Sequence, residues 1–201
     1  MFFHKTWVNL NLTLKGLTLR FSLTMIKRKP MDLKNHIREI QDFPKPGINF
    51  KDITTLLKNP EAFGHAVGTF EARYKPMKLS YVAGIESRGF LFAPVLAHAL
   101  GCGVLLIRKK GKLPADTFSH TYQLEYGEDT LEIHQDSCRP GEKVVLIDDL
   151  LATGGTAKAA ATLLEKAGAS VEEIAFLIEL NFLKGRNQLD KFTVFSQIQY
   201  Q

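Results

Sequence analysis

Residues 144–156 read Val-Val-Leu-Ile-Asp-Asp-Leu-Leu-Ala-Thr-Gly-Gly-Thr, and no other stretch of the chain gathers so many groups able to do chemistry. Four apolar residues, Val144 to Ile147, suit a strand buried on both faces, and Asp148 and Asp149 fall where that strand should end. Ala152, Thr153, Gly154, Gly155 and Thr156 then lead into an alanine-rich helix former. Small residues at a strand-to-helix turn let backbone N–H groups close on an anion, and the helix N-terminus adds positive potential. A phosphate alone gains nothing from two neighbouring acids. A phosphorylated sugar does, because carboxylates accept hydrogen bonds from vicinal hydroxyls while the turn holds the phosphate. The plainer alternative is a solvated acidic turn closed by glycine, but these glycines open a helix. The chain has no P-loop, and Gly154-Gly155 lacks the spacing of a dinucleotide fingerprint.

Three other segments carry charge or hydroxyls at similar turns. Gly84-Ile85-Glu86-Ser87-Arg88-Gly89 offers an acid, a hydroxyl and a guanidinium, which can chelate two phosphate oxygens. Arg108-Lys109-Lys110-Gly111-Lys112 places four cations in five positions, enough to neutralise a polyphosphate if it is more than a solvated loop. Tyr122-Gln123-Leu124-Glu125-Tyr126-Gly127-Glu128 alternates in polarity, as a hairpin or mobile flap does. A carboxylate on such a flap could exchange a proton with a reacting base; read alone, Glu125 is an ordinary edge-strand acid.

The elements that must position these groups alternate between strand and helix. A short helix is expected over Asp32–Ile40, broken by Phe43-Pro44-Lys45-Pro46-Gly47. Helices follow over Pro60–Tyr74, Phe90–Leu100, the stretch after Gly155, and Leu183–Leu189. Strands are expected over Ser80–Ile85, Val104–Ile107, from Val144, over Val171–Ile178 and over Phe192–Phe195. That alternation predicts a mostly parallel sheet with helices on both faces, whose ligands bind at the carboxyl ends of the strands.

Composition sets bounds. The 201 residues suit one domain, or a domain with an appendage. Six of the 26 basic residues and none of the 21 acids precede Asp32, which leaves residues 31–201 with 20 basic against 21 acidic. The net charge of +5 therefore does not describe the body, and no nucleic-acid partner is expected. Residues 1–30 look foreign to the fold, with Phe2, Trp7, Leu10, Leu12, Leu14, Leu17, Leu19 and Phe21 scattered among Lys and Arg. An upstream extension with Met25 or Met31 as the true start is favoured over a presequence or a disordered tail. Lys5, Lys15 and Arg20 interrupt any apolar window long enough for a membrane span. Cys102 and Cys138 form no metal or redox motif, which suits a reduced, cytoplasmic enzyme.

The 144–156 run resembles the signature of type I phosphoribosyltransferases, which bind phosphoribosyl pyrophosphate (PRPP). Together with Phe43–Ile53, the Gly84–Phe92 turn, Ile107–Pro114 and Leu124–Gly127, it resembles the adenine phosphoribosyltransferase family over about residues 32–201. The resemblance implies an α/β type I phosphoribosyltransferase fold with a small N-terminal hood and a mobile flap. It also implies a homodimer that converts adenine and PRPP to AMP and pyrophosphate in purine salvage. By the same resemblance Asp148 and Asp149 hold the ribose, Ala152, Thr153, Gly154, Gly155 and Thr156 the 5′-phosphate, and Glu86, Ser87, Arg88, Arg108 and Lys112 face pyrophosphate, with Arg108 reaching across the dimer. Glu125 is the implied general acid/base, Tyr126 closes the flap, and Ile48, Phe50 and Lys51 line the adenine pocket. Lys51 stands where the family commonly has Arg. Mg2+ is expected to ride on PRPP without direct protein ligands, with at most a water bridge to Asp148 or Asp149. A sister enzyme for another purine or orotate, and a non-catalytic PRPP-sensing regulator, are the remaining alternatives.

Overall fold

The computed structural model describes residues 5–14, 17–26, 31–123 and 127–201. It divides into two units, residues 1–32 and 33–201. In the first, β1 (Lys5–Leu14) pairs antiparallel with β2 (Leu17–Ile26). Val8, Leu10, Leu12 and Leu14 alternate with polar residues along β1, as Leu17, Leu19, Phe21, Leu23 and Met25 do along β2. The apolar residues expected to be scattered therefore keep the two-residue period of a strand.

The second unit opens with a correction. Asp32–Ile40 is not a helix: a 3-10 turn at Leu33–His36 is followed by β3 (Arg38–Ile40), paired antiparallel with β4 (Phe50–Asp52). Asp52 supplies the reason. It ion-pairs with Arg38 and accepts from the backbone N–H of Thr54 (2.9 Å) and from its hydroxyl (2.8 Å), a knot that a helix through Arg38 could not make. This small hairpin is the hood. The short helix α1 (Thr54–Leu57) leads to α2 (Pro60–Tyr74), which spans the predicted residues. Asn59 caps α2, accepting from the N–H groups of Glu61 and Ala62, and Pro60 occupies its first turn.

The main sheet follows: β5 (Tyr81–Ile85), α3 (Ala93–Leu100), β6 (Gly103–Lys109), β7 (Thr117–Gln123), β8 (Glu128–His134), β9 (Lys143–Leu151), α4 (Gly155–Lys166), β10 (Ser170–Leu180) and β11 (Val194–Tyr200). Its strand order is β11-β10-β9-β5-β6-β8-β7; the first five strands run parallel, and β8 and β7 close the far edge antiparallel. Val144, Val145, Leu146 and Ile147 are wholly buried, as an unbroken apolar run at the centre of a covered sheet requires. One face packs Ala83, Ile85, Leu105, Ile107, Val144, Leu146, Ile174 and Phe176 against Ala157, Ala160, Ala161 and Leu164 of α4. Gly84 faces the other way, onto α3, so closely that an added Cβ would lie 2.7 Å from that of Ala93.

The expected helix over Phe90–Leu100 starts at Ala93, after a 3-10 turn at Arg88–Leu91, and the C-terminal segment differs in two ways. The last strand occupies 194–200, beyond the expected 192–195, because an edge strand alternates (Val194, Ser196, Ile198, Tyr200 against Phe195, Gln197, Gln199) and has no continuous apolar run. The expected helix at Leu183–Leu189 is two 3-10 turns, Asn181–Leu183 and Gly185–Gln188, with Lys184 between them at positive φ.

Candidate active site

Strands β9, β5 and β6 are neighbours and parallel, so their carboxyl ends open side by side. The three chemistry-bearing turns leave from those ends. Adjacent strands, and no closeness in sequence, bring Asp148, Arg88 and Arg108 to one edge.

On β9 the two acids lie within the strand, which continues to Leu151. Asp149 is 3% exposed and accepts from Arg88 Nε at 2.5 Å, which ties the acid pair to the neighbouring turn. Asp148 Oδ1 accepts from the backbone N–H of Asp149 at 2.9 Å. Burial, reinforced by the adjacent Asp149 charge, drives the Asp148 carboxyl well above the ordinary carboxylate range. Such a pair gains from hydroxyl donors or a hydrated cation, the partners a phosphosugar and its counter-ion provide.

After β9 the chain turns through Gly154 at φ +88° into α4. Here glycine is required twice over: a Cβ on Gly154 would sit 2.4 Å from the carbonyl oxygen of Gly185, and one on Gly185 would sit 2.2 Å from that of Ala152. The 185–188 turn thus backs the Ala152–Thr156 turn. Thr156 Oγ1 lies 3.2 Å from Tyr122 Oη on β7. A cavity of about 390 Å³ opens there, lined by Tyr122, Gln123, Thr153, Gly155, Lys158 and Gln188 among others.

The turn after β5 carries a cis Glu86–Ser87 peptide and continues as a 3-10 turn, Arg88–Leu91. Gly89 lets that turn approach β9: a Cβ there would be 2.8 Å from the Ile147 carbonyl oxygen and 3.1 Å from Asp148 Oδ1. Glu86 accepts from Arg108 (3.2 and 3.3 Å), from the Lys109 N–H (3.2 Å) and from Lys112 Nζ (3.2 Å). Burial raises the Glu86 carboxyl, but the Arg108 hydrogen bond, the Lys109 N–H and Lys112 outweigh it and hold it below its ordinary value. Glu86 is therefore a charged anchor for two cations. As an acid it suits that task better than touching a phosphate oxygen. The Ser87 hydroxyl caps no helix.

In the hood, Phe50 meets Phe43 edge-on at 5.2 Å and lies 5.9 Å from the Arg88 guanidinium carbon, so the hairpin reaches the acid-and-arginine cluster. Ile48 is turned to solvent at the tip of the turn between β3 and β4, where Gly47 takes φ +85° and donates to Asp42. Lys51 points elsewhere: its side chain, 7% exposed, pairs with Glu39 at 2.9 Å and stands over the Tyr200 ring. Glu125 and Tyr126 lie outside the described residues. Sequence reasoning missed Glu39, Gly185 and Tyr200. Their roles come from long-range packing, and no local pattern marks them.

A parallel sheet carrying a glycine turn, an acid pair and a cation cluster on adjacent strand ends is the plan of a type I phosphoribosyltransferase, and the phosphoribosyl transferase domain family matches residues 55–199. Among curated relatives, the adenine phosphoribosyltransferase of Roseiflexus sp. is 57% identical over 169 residues, 84% of this chain and 98% of the relative. That of Desulfitobacterium hafniense is 53% identical over 172 residues, 86% and 99% of the two chains. The crystal structure of adenine phosphoribosyltransferase from Thermoanaerobacter pseudethanolicus superposes with a TM-score of 0.81 at 50% identity, covering 84% of this chain and 98% of that one. The Saccharomyces cerevisiae enzyme, complexed with an imino-altritol bisphosphate and adenine, gives 0.79 at 42% identity, covering 82% and 95%. The chain belongs to the adenine phosphoribosyltransferase family.

Proposed function

We propose that this chain transfers the 5-phosphoribosyl group of PRPP to N9 of adenine, giving AMP and pyrophosphate in purine salvage. The observation that carries the reading is the placement of the glycine turn, the Asp148–Asp149 pair and the Glu86-anchored cations on three adjacent strand ends. Together they suit the 5′-phosphate, ribose and pyrophosphate of one extended substrate. Departure of pyrophosphate from C1′ leaves an oxocarbenium-like sugar, which N9 attacks from the opposite face. Arg88 and Lys112 stabilise the leaving charge, and Glu86 fixes the stance of Lys112 and Arg108. Glu125 is assigned the proton exchange at the base and Tyr126 the closing of the flap over it, which keeps water from the sugar cation. Both assignments rest on the resemblance of the Leu-Glu-Tyr-Gly segment.

Mg2+ fits this donor set as a passenger of PRPP. Asp148 and Asp149 offer hard oxygens to one of its waters. When bound, the ion neutralises the pyrophosphate leaving group.

A cytoplasmic homodimer is the assembly we assign. Leu106 shares a register, and so a sheet face, with Gly84, which points at α3. Leu106, Leu91 and Val95 on that side are all exposed large apolar residues, a surface suited to a second copy. Among the described residues no helix is long and apolar enough to cross a membrane. Residues 1–30 are assigned as an extension preceding the catalytic unit in the chain.

Pyrophosphate release from PRPP and Mg2+, offered adenine, hypoxanthine, guanine, xanthine and orotate separately, tests the reading. Release with adenine alone is expected. Release with another base would retain the PRPP site and overturn the pocket assignment.

A further inference from the structure

Lys51 and Phe50 are neighbours on β4, yet their side chains serve different places, as strand alternation requires. Phe50 faces Arg88 and Phe43. Lys51 lies directly opposite Glu39 in the hairpin register, and its Nζ sits 2.9 Å from that carboxylate and 4.2 Å from the centre of the Tyr200 ring. Asn49 Nδ2 holds the other Glu39 oxygen at 2.7 Å, so the carboxylate is fixed from both sides. Lys34, in the 3-10 turn that opens the hood, brings a second ammonium to the same ring at 5.2 Å. Tyr200 itself closes β11, where it pairs with Leu180 of β10. One ring on the last strand of the main sheet thus takes cations from both ends of the hood.

We propose that Tyr200 is a positioning residue for base binding: its ring, through Lys51 and Lys34, ties the hood hairpin to the main sheet and so sets the stance of Phe50 beside Arg88. The inference rests on the adenine reading above and adds to it a residue at the far end of the chain. An ammonium on an aromatic face in a desolvated setting is held strongly enough to matter, whereas the phenolic hydroxyl contributes nothing to that attraction. The side chain of Lys51 then serves the pocket indirectly, by holding β4.

Two measurements on the full chain test this. In steady-state kinetics, Tyr200→Leu should raise KM for adenine about three- to tenfold, with kcat and KM for PRPP changed by less than about twofold. Tyr200→Phe, which keeps the ring, should restore the wild-type adenine KM. An unchanged adenine KM in Tyr200→Leu would overturn the proposal, as would parallel losses in kcat and in both KM values. Amide hydrogen exchange reads the tie without any assay of activity. In Tyr200→Leu, residues 38–40 and 50–52 should exchange faster while residues 144–147 keep their protection. Equal exchange in the hood of the two proteins would overturn the tie even if the wild type used adenine. Faster hood exchange in a protein that does not use adenine would keep the tie and remove the base reading alone.

Discussion

Asp148 and Glu86 are both partly enclosed acids at the same sheet edge, and their surroundings push them in opposite directions. The Asp148 carboxyl is raised above its ordinary 3.8 by burial and by Asp149. The stabilisation it gives relative to the unfolded chain is therefore fully present below 3.8 and is lost as pH rises through its raised value, so the group burdens the ligand-free protein at higher pH. Asp148→Asn should raise the Tm of the free protein at pH 7 by roughly 2–4 °C and weaken PRPP binding, measurable by calorimetry with and without PRPP. A lower Tm would count against the strain assigned to the acid pair. Glu86 is held below its ordinary 4.5, so its stabilisation is present above 4.5 and fades as pH falls through the lowered value. Glu86→Gln should raise KM for PRPP by about tenfold while leaving KM for adenine unchanged, because Arg108 and Lys112 lose their anchor. The Tm difference between that variant and the wild type should shrink as pH drops below about 4.5. Glu125→Ala should lower kcat by about 10²- to 10⁴-fold and PRPP affinity far less. Equal losses in both would remove Glu125 from the chemistry.

At the scale of elements, what the sequence disclosed depended on whether the signal was local. Val144–Ile147 showed the central strand because burial on both faces leaves an apolar run, and Pro60–Tyr74 showed α2 because its apolar residues recur at helical spacing. The phosphate turn was legible for the same reason. The hood was implied by the resemblance but its hairpin was not legible: two short strands held by the Arg38–Asp52 pair across a long turn carry no period of their own. The alternation in β1 and β2 is present in the residues themselves, although Lys and Arg interspersed through residues 1–30 mask it. Gly185 had no sequence signal at all, although an added Cβ there would lie 2.2 Å from the Ala152 carbonyl oxygen of the phosphate turn. That contact makes a prediction about the element. Gly154→Ala would place a Cβ 2.4 Å from the Gly185 carbonyl oxygen at φ +88°, so it should cost about 2–4 kcal/mol of stability and abolish PRPP binding. Chemical denaturation and PRPP titration report the two effects separately.

For the whole molecule, the open question is whether each site is built from one chain or two. In the single chain Arg108 turns back to Glu86 and to the carbonyl oxygen of Lys112. It also lies two residues beyond Leu106 on the same face of β6, next to the exposed apolar surface on the α3 side. A second copy docked on that surface would bring Arg108 close to the partner subunit, where the guanidinium could leave its own Glu86 for the neighbouring pyrophosphate. Mixing two inactive variants separates the possibilities. In a mixed dimer of Arg108→Ala and Glu125→Ala chains, an arginine acting across the interface gives the first chain its own Glu125 and the partner's intact guanidinium, so one of its two sites recovers. An arginine acting within its own chain leaves no complete site in any pairing. Denaturing and refolding the two variants together should therefore restore about a quarter of wild-type turnover if chains pair at random, since half the dimers are mixed and each has one working site. No recovery, from a mixture shown by mass spectrometry to contain mixed dimers, would place Arg108 in the site of its own subunit.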